Sequence, residues 1–158
     1  MKPIELLRYR QSELAALFVK LPAPDRLAID GVWRGRLMAF SGLGWLPRWL
    51  CGALYRLLAL PINPWRGKGF NKGEGLNRWF GFPGIGFGAY KLSAITSPVD
   101  GQPALLLDYA RQDNPALFRH IRGEGRLLGD GSLLGRVFWQ GKSQLYLIAY
   151  FTLTRASQ

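Results

Sequence analysis

Ala28-Ile29-Asp30-Gly31-Val32-Trp33-Arg34-Gly35-Arg36-Leu37-Met38-Ala39-Phe40 is the stretch on which the reading of the whole chain turns. Taken in steps of two, Ile29, Gly31, Trp33, Gly35, Leu37 and Ala39 fall on one side, and Asp30, Arg34 and Arg36 on the other. That is the pattern of a strand with one buried and one wet face. Glycine weakens a strand, so two glycines flanking a tryptophan on the buried side need a reason. They are either bulge positions beside a core indole, or part of the first strand of a small barrel. In a barrel the sheet bends sharply there and another backbone comes close to the indole.

On the N-terminal side, residues 4–20 are predicted to form an amphipathic helix within an N-terminal segment 1–22. Leu7, Leu14, Leu17, Phe18 and Leu21 share a stripe from which Arg8, Gln11, Ser12 and Glu13 are absent. Pro22-Ala23-Pro24 ends it. Such a helix could plug one end of a barrel or pack on its outer wall.

On the C-terminal side, Leu37 to Ile62 is apolar, with Arg48 and Arg56 its only charges. Pro47 and Pro61 limit its helix to roughly fourteen residues, against the ~20 needed to span a bilayer. The helical segment expected at 44–60 therefore reads as a buried helix, as a lid over an apolar cavity, or as a helix lying in a membrane interface. Trp45, Trp49 and Tyr55 suit the lid. Asn63-Pro64-Trp65-Arg66-Gly67-Lys68-Gly69-Phe70-Asn71-Lys72-Gly73 has glycines around a lysine, but Phe70-Asn71 breaks the phosphate-loop pattern, leaving a turn and a short strand. Trp79 to Gly88 alternates glycine with large apolar residues, as a curved strand would. Strands follow at 86–96, 104–111, 117–127, 132–139 and 144–155, with turns at Asp100-Gly101, Asp130-Gly131 and Gln140-Gly141. Evenly spaced strands with short turns make an antiparallel sheet that should close or sandwich itself to avoid open edges.

Gly31-Val32-Trp33-Arg34-Gly35 fits a GxWxG signature, and Trp65-Arg66-Gly67-Lys68-Gly69-Phe70 resembles the element that follows it in the bacterial family named for that motif. From Leu107-Asp108-Tyr109 through Pro115, Phe118-Arg119, Leu128-Gly129 and Tyr146 to Leu153-Thr154-Arg155, the chain resembles that family's companion C-terminal domain of unknown function. The companion domain usually has a Tyr-Asp pair where this chain has Asp108-Tyr109. The resemblance spans roughly residues 25–155 and implies, by analogy of shape, a lipocalin-like (calycin) barrel for apolar ligands.

The 158 residues, 48% hydrophobic and 13% aromatic, suit a single globular domain with a real core. The expected architecture is mainly β: an antiparallel lipocalin-like β-barrel over 28–155, an N-terminal helix, and the helical insertion at 44–60. The lone Cys51 allows no internal disulfide. With His120 the only histidine, a zinc site is not expected. No cofactor is expected either. Pro3, Glu5, Arg8, Arg10 and Glu13 stand where a secretory signal would be apolar, so the expected location is the cytoplasm, or the inner membrane face as a peripheral protein.

A net charge of +11 favours anionic partners, or marks a basic soluble protein. On the strand expected at 117–127, His120 shares a face with Arg122, Glu124 and Arg126, which is either solvated or a polar lumen holding a carboxylate. Asp108, Tyr109, Arg111 and Asp113 with His120 form an acid/base cluster or a network of turn ion pairs. Cys51 beside His120 would be a nucleophile only outside an apolar helix. Basic residues interleaved with Trp65, Phe70 and Trp79 would suit single-stranded nucleic acid, although aliphatic neighbours point those aromatics to a core.

The expected function is lipid binding: a barrel that takes a small apolar or amphipathic anion of fatty-acid or isoprenoid type. Trp33, Arg34, Arg36, Trp49, Tyr55, Tyr109, Arg119, His120 and Arg122 are the candidate ligand-binding residues. A basic module for a membrane surface or, less favoured, for nucleic acid is the alternative. An enzyme acting on a lipid-like substrate is the second.

Overall fold

The organising strand pairs on both edges. In the computed structural model, which describes residues 3–43, 47–58, 64–79 and 88–156, β1 (Gly31–Met38) is antiparallel to β2 (Trp65–Asn71) on one side and to β8 (Leu145–Arg155) on the other. Between them run β3 (Glu74–Trp79), β4 (Ala89–Thr96), β5 (Pro103–Asp108), β6 (Ile121–Leu127) and β7 (Leu133–Gln140). Each is antiparallel to the next, so the chain order is the strand order and the sheet closes as an eight-stranded barrel. The expected lipocalin-like antiparallel barrel is what the sequence builds. The curved stretch 80–87 and Trp45 lie outside the described residues, as does the Cys51 side chain.

The interior is lined by Trp33, Trp65, Phe70, Tyr90, Tyr109 and Phe151 together with leucines from β4, β5, β7 and β8. Glycines make room for it. A Cβ on Gly35 would lie 2.2 Å from the Trp65 ring. Gly67, at φ +140° in the β2 bulge, would push one to 2.0 Å from the Trp33 carbonyl oxygen. The close approach expected at the motif is real, but the indole resting on Gly35 is Trp65, not Trp33.

One end of the barrel is shut. Trp33, 2% exposed, donates from Nε1 to the Ile29 carbonyl at 2.7 Å, and the Arg155 guanidinium covers its ring at 5.0 Å. Arg155 also donates to the carbonyls of Ala28 and Asp30, and the Leu127 N–H donates to that of Pro22, which laces the incoming segment across this end.

The helix predicted over 4–20 is two pieces, a 3₁₀ turn at Glu5–Arg8 and α1 at Gln11–Val19. Tyr9 and Arg10 are extended, and the Glu13 carboxylate accepts from the Arg10 N–H at 2.6 Å, which starts a fresh helix. Leu14 and Phe18 then pack with Met38, Leu134 and Tyr150, so α1 lies on the outer wall and plugs neither end. Phe18 is held between the guanidinium groups of Arg126 and Arg136, at 4.4 and 4.3 Å from its ring centre.

Within the segment expected at 44–60, α2 spans Arg48–Leu58. Tyr55 joins the same outer cluster, with Leu54 packed against it, while Trp49, Leu50 and Leu57 face solvent. Among the described residues no helix is long and apolar enough to cross a membrane.

The strand predicted at 117–127 begins only at Ile121, because Phe118, Arg119 and His120 form a 3₁₀ turn. Pro115, whose fixed φ suits the start of such a turn, accepts from the Phe118 N–H at 2.9 Å, and Ala116 and Leu117 accept in sequence behind it.

Candidate functional site: a lysine inside the barrel

Strand β2 carries Trp65, Lys68 and Phe70 inward. The bulge between Trp65 and Gly67 shifts the phase, so a tryptophan and a lysine three apart share the interior. Lys68 is 4% exposed. Its Nζ donates to Asn77 Oδ1 at 2.7 Å and to the Tyr109 hydroxyl. The rings of Tyr90, Tyr109, Phe151 and Trp65 surround it, with centres 4.6, 5.1, 5.4 and 5.7 Å away. Asn77 Oδ1 also accepts from Trp65 Nε1 and from the Tyr109 hydroxyl, each at 3.3 Å.

Among the described residues no carboxylate bonds this amine, and its charge is met there by two neutral oxygens and four ring faces. Burial lowers its pKa to about 7. Burial likewise raises the Tyr109 hydroxyl, against the opposing effect of its hydrogen bond to Asn77 Oδ1, and raises Tyr90, helped by Tyr109. Both phenols are therefore neutral donors at neutral pH.

Towards the end of the barrel opposite Trp33, the lining changes. Leu37, Trp79, Phe118, Ile121 and Val137 face the core but stay half-buried. Asn114 fixes the neighbouring loop: its Oδ1 accepts from the N–H groups of Gly88 and Ala89, and its Nδ2 donates to the carbonyls of Ala89 and Tyr109. Lys68 thus lies beneath an apolar rim.

Of the residues expected to bind ligand, only Trp33 and Tyr109 face the interior. Trp33 closes the far end, and Tyr109 touches Lys68. Arg34 and Arg36 occupy the outer side of β1 and are exposed and half-exposed. Trp49 is 75% exposed on α2, and Tyr55 is buried on the outer wall.

Arg119 leaves the expected strand face, and its guanidinium donates to the carbonyls of Asn114 and Gln112. His120 is exposed and stacks on Trp139 at 5.0 Å. Arg122 lies on the outer side of β6 in a groove of about 160 Å³ shared with Leu106 and Phe138. The polar face of β6 is thus no lumen.

Nor is that face solvated throughout, because Glu124 and Arg126 are buried under α1 and the 97–102 turn. Arg126 pairs with Asp100 at 2.7 Å, and Arg136 bridges Asp100 and Glu124 at 2.9 and 2.6 Å. The acid/base cluster expected around residue 110 also divides. Arg111 pairs with Asp113 and Glu74 at the surface, while Tyr109 turns inward.

Sequence reasoning missed Lys68 as a site residue. The available signal was its spacing of two from Phe70, in phase with an aromatic on a strand whose glycines marked a bulge. Among the described residues, no three histidine, cysteine or acidic side chains gather as metal ligands.

Comparison with known proteins finds no match: no family model, no curated protein and no solved structure is significantly similar to the chain.

Proposed function

We propose that the protein binds a small amphipathic anion of fatty-acid or isoprenoid type, head-inward, with its carboxylate on Lys68 and its chain towards the rim of Leu37, Ile121 and Val137. The observation that carries this is an interior lysine that no carboxylate among the described residues bonds, caged by aromatic rings. An ammonium so placed lacks its strongest kind of partner, and an incoming carboxylate supplies it. The lipocalin-like shape implied by the GxWxG resemblance points the same way.

Titration of tryptophan fluorescence with long-chain fatty acids tests it. Micromolar affinity is expected, on the order of −8 kcal/mol. Each methylene removed from the buried chain should weaken binding by about 0.8 kcal/mol. Lys68→Met should weaken the acid more than the matching alcohol, and Arg122→Leu should change neither. A signal that saturates only at the critical micelle concentration removes the reading.

One arrangement favours a second reading, an anionic lipid surface. Arg34, Gly67 and Arg78 stand in one cross-strand row, and the buried glycine puts no side chain between the two exposed guanidinium groups. Trp65 and Phe70 turn inward, so this wall lacks their rings for stacking bases. Sedimentation with anionic and neutral liposomes at low and high salt separates this reading from a merely basic, soluble surface.

A further inference from the structure

We propose that Lys68 captures carbonyl compounds, its Nζ condensing with the aldehyde group of a long-chain apolar aldehyde to form an imine inside the barrel. This rests on the head-inward binding described above and puts a neutral aldehyde head, on the same kind of apolar chain, where that reading puts a carboxylate.

Three features carry it. First, Nζ is held in one place by Asn77 Oδ1 at 2.7 Å and by the Tyr109 hydroxyl, rather than swinging on a free four-carbon stem. Second, the wall around it is aromatic and, among the described residues, offers no carboxylate to lock it as an ammonium. Its pKa of about 7 leaves about half of it as free amine at neutral pH, against roughly one in a few thousand for an exposed lysine. Third, Tyr109 is a neutral phenol in direct contact with the nucleophile, in reach of an oxygen that develops beside Nζ.

The step balances without an outside oxidant or reductant. The Nζ lone pair forms a bond to the carbonyl carbon while the C=O π pair moves to oxygen. That oxygen takes a proton from the Tyr109 hydroxyl, and the new ammonium returns one to the phenolate, giving a carbinolamine. The C–O bond then breaks, water departs with a second proton from nitrogen, and the imine remains. Amine and aldehyde become imine and water. Exclusion of bulk water by the surrounding rings disfavours the return hydrolysis.

The full chain is incubated with hexadecanal and sodium cyanoborohydride, which reduces an imine to a stable secondary amine. Intact mass and peptide mapping then locate the alkyl group. At pH 7, labelling of Lys68 is expected to exceed that of each lysine exposed among the described residues (Lys20, Lys72, Lys91 and Lys142) by at least about tenfold. Hexadecanoic acid should protect Lys68, and Lys68→Arg should abolish the labelling above background.

Labelling spread over the exposed lysines with Lys68 unmodified overturns the proposal. If hexadecanoic acid still binds in that case, non-covalent binding stands and imine formation alone fails. If neither acid nor aldehyde binds, both fail. Protection by the acid is read on the unmodified protein, so the result does not depend on the variant folding.

Discussion

Gly35 and Trp65 compete for one volume: the space a Cβ on Gly35 would occupy is filled by the Trp65 indole, 2.2 Å away. Neither can grow without the other moving. Gly35→Ala should therefore cost about 1–3 kcal/mol in a urea melt. Gly129→Ala, with open space around its Cβ, should stay within about 0.5 kcal/mol.

Trp33 has no such freedom to relax either, being buried at the closed end with its N–H on Ile29. Trp33→Ala should cost about 3–5 kcal/mol, and a loss within about 0.5 kcal/mol would show that the indole does not close the barrel.

Lys68 gives the fold an unusual response to alkali. Its pKa falls from 10.5 in the unfolded chain to about 7 in the barrel. Between those values the unfolded state binds the extra proton, so stability contributed through this residue rises from pH 7 towards 10.5 and is flat below 7. Lys68→Met should abolish that rise and be neutral or stabilising at pH 6. Melting temperatures measured across this range, in wild type and variant, give the difference directly.

The same residue makes ligand affinity depend on pH in the opposite direction. Under the proposed binding a carboxylate would meet the ammonium, so above pH 7 binding would draw a proton from solution. Fatty-acid affinity should fall as pH rises beyond 7, while affinity for the matching alcohol should not. Calorimetry in two buffers of different ionisation enthalpy measures the proton uptake.

Asp100 works at the acid end. Burial would raise its carboxyl, but the Arg126 hydrogen bond, the Gln102 N–H and the charges of Arg136 and Arg126 outweigh it and hold the pKa low. A depressed carboxylate stabilises above its unfolded pKa and loses that contribution as pH falls through the folded one. Asp100→Asn should cost about 3 kcal/mol at pH 7, because Arg126 is left buried without a carboxylate. The gap between variant and wild type should close in acid melts.

Much of the barrel was legible because alternation and turn residues are local. Asp130-Gly131 places Gly131 at φ +80°, which joins β6 to β7 whatever lies around them. The side of a strand that turns inward was harder. Arg122, Glu124 and Arg126 declare one face, but α1 covers that face from outside, so it is partly buried without being interior. Periodicity separates faces and cannot say which element comes to cover each. Lys68 was hidden by the bulge at Gly67, which breaks the count of two from Trp65. Arg119 and His120 leave the expected strand because the turn is started by Pro115, which lies two residues before that strand's first residue, Leu117.

The pairing of β1 with β8 has a consequence for synthesis. Every other strand meets a neighbour made just before or after it, but β1 must wait for the last strand to leave the ribosome before its second edge is covered. Until then the nascent chain carries two open edges, β1 and the most recently formed strand, each able to capture another polypeptide. Arg34 and Arg36 lie on that waiting edge. On the outer face of β1, their charges disfavour pairing with a stranger before the chain's own final strand arrives.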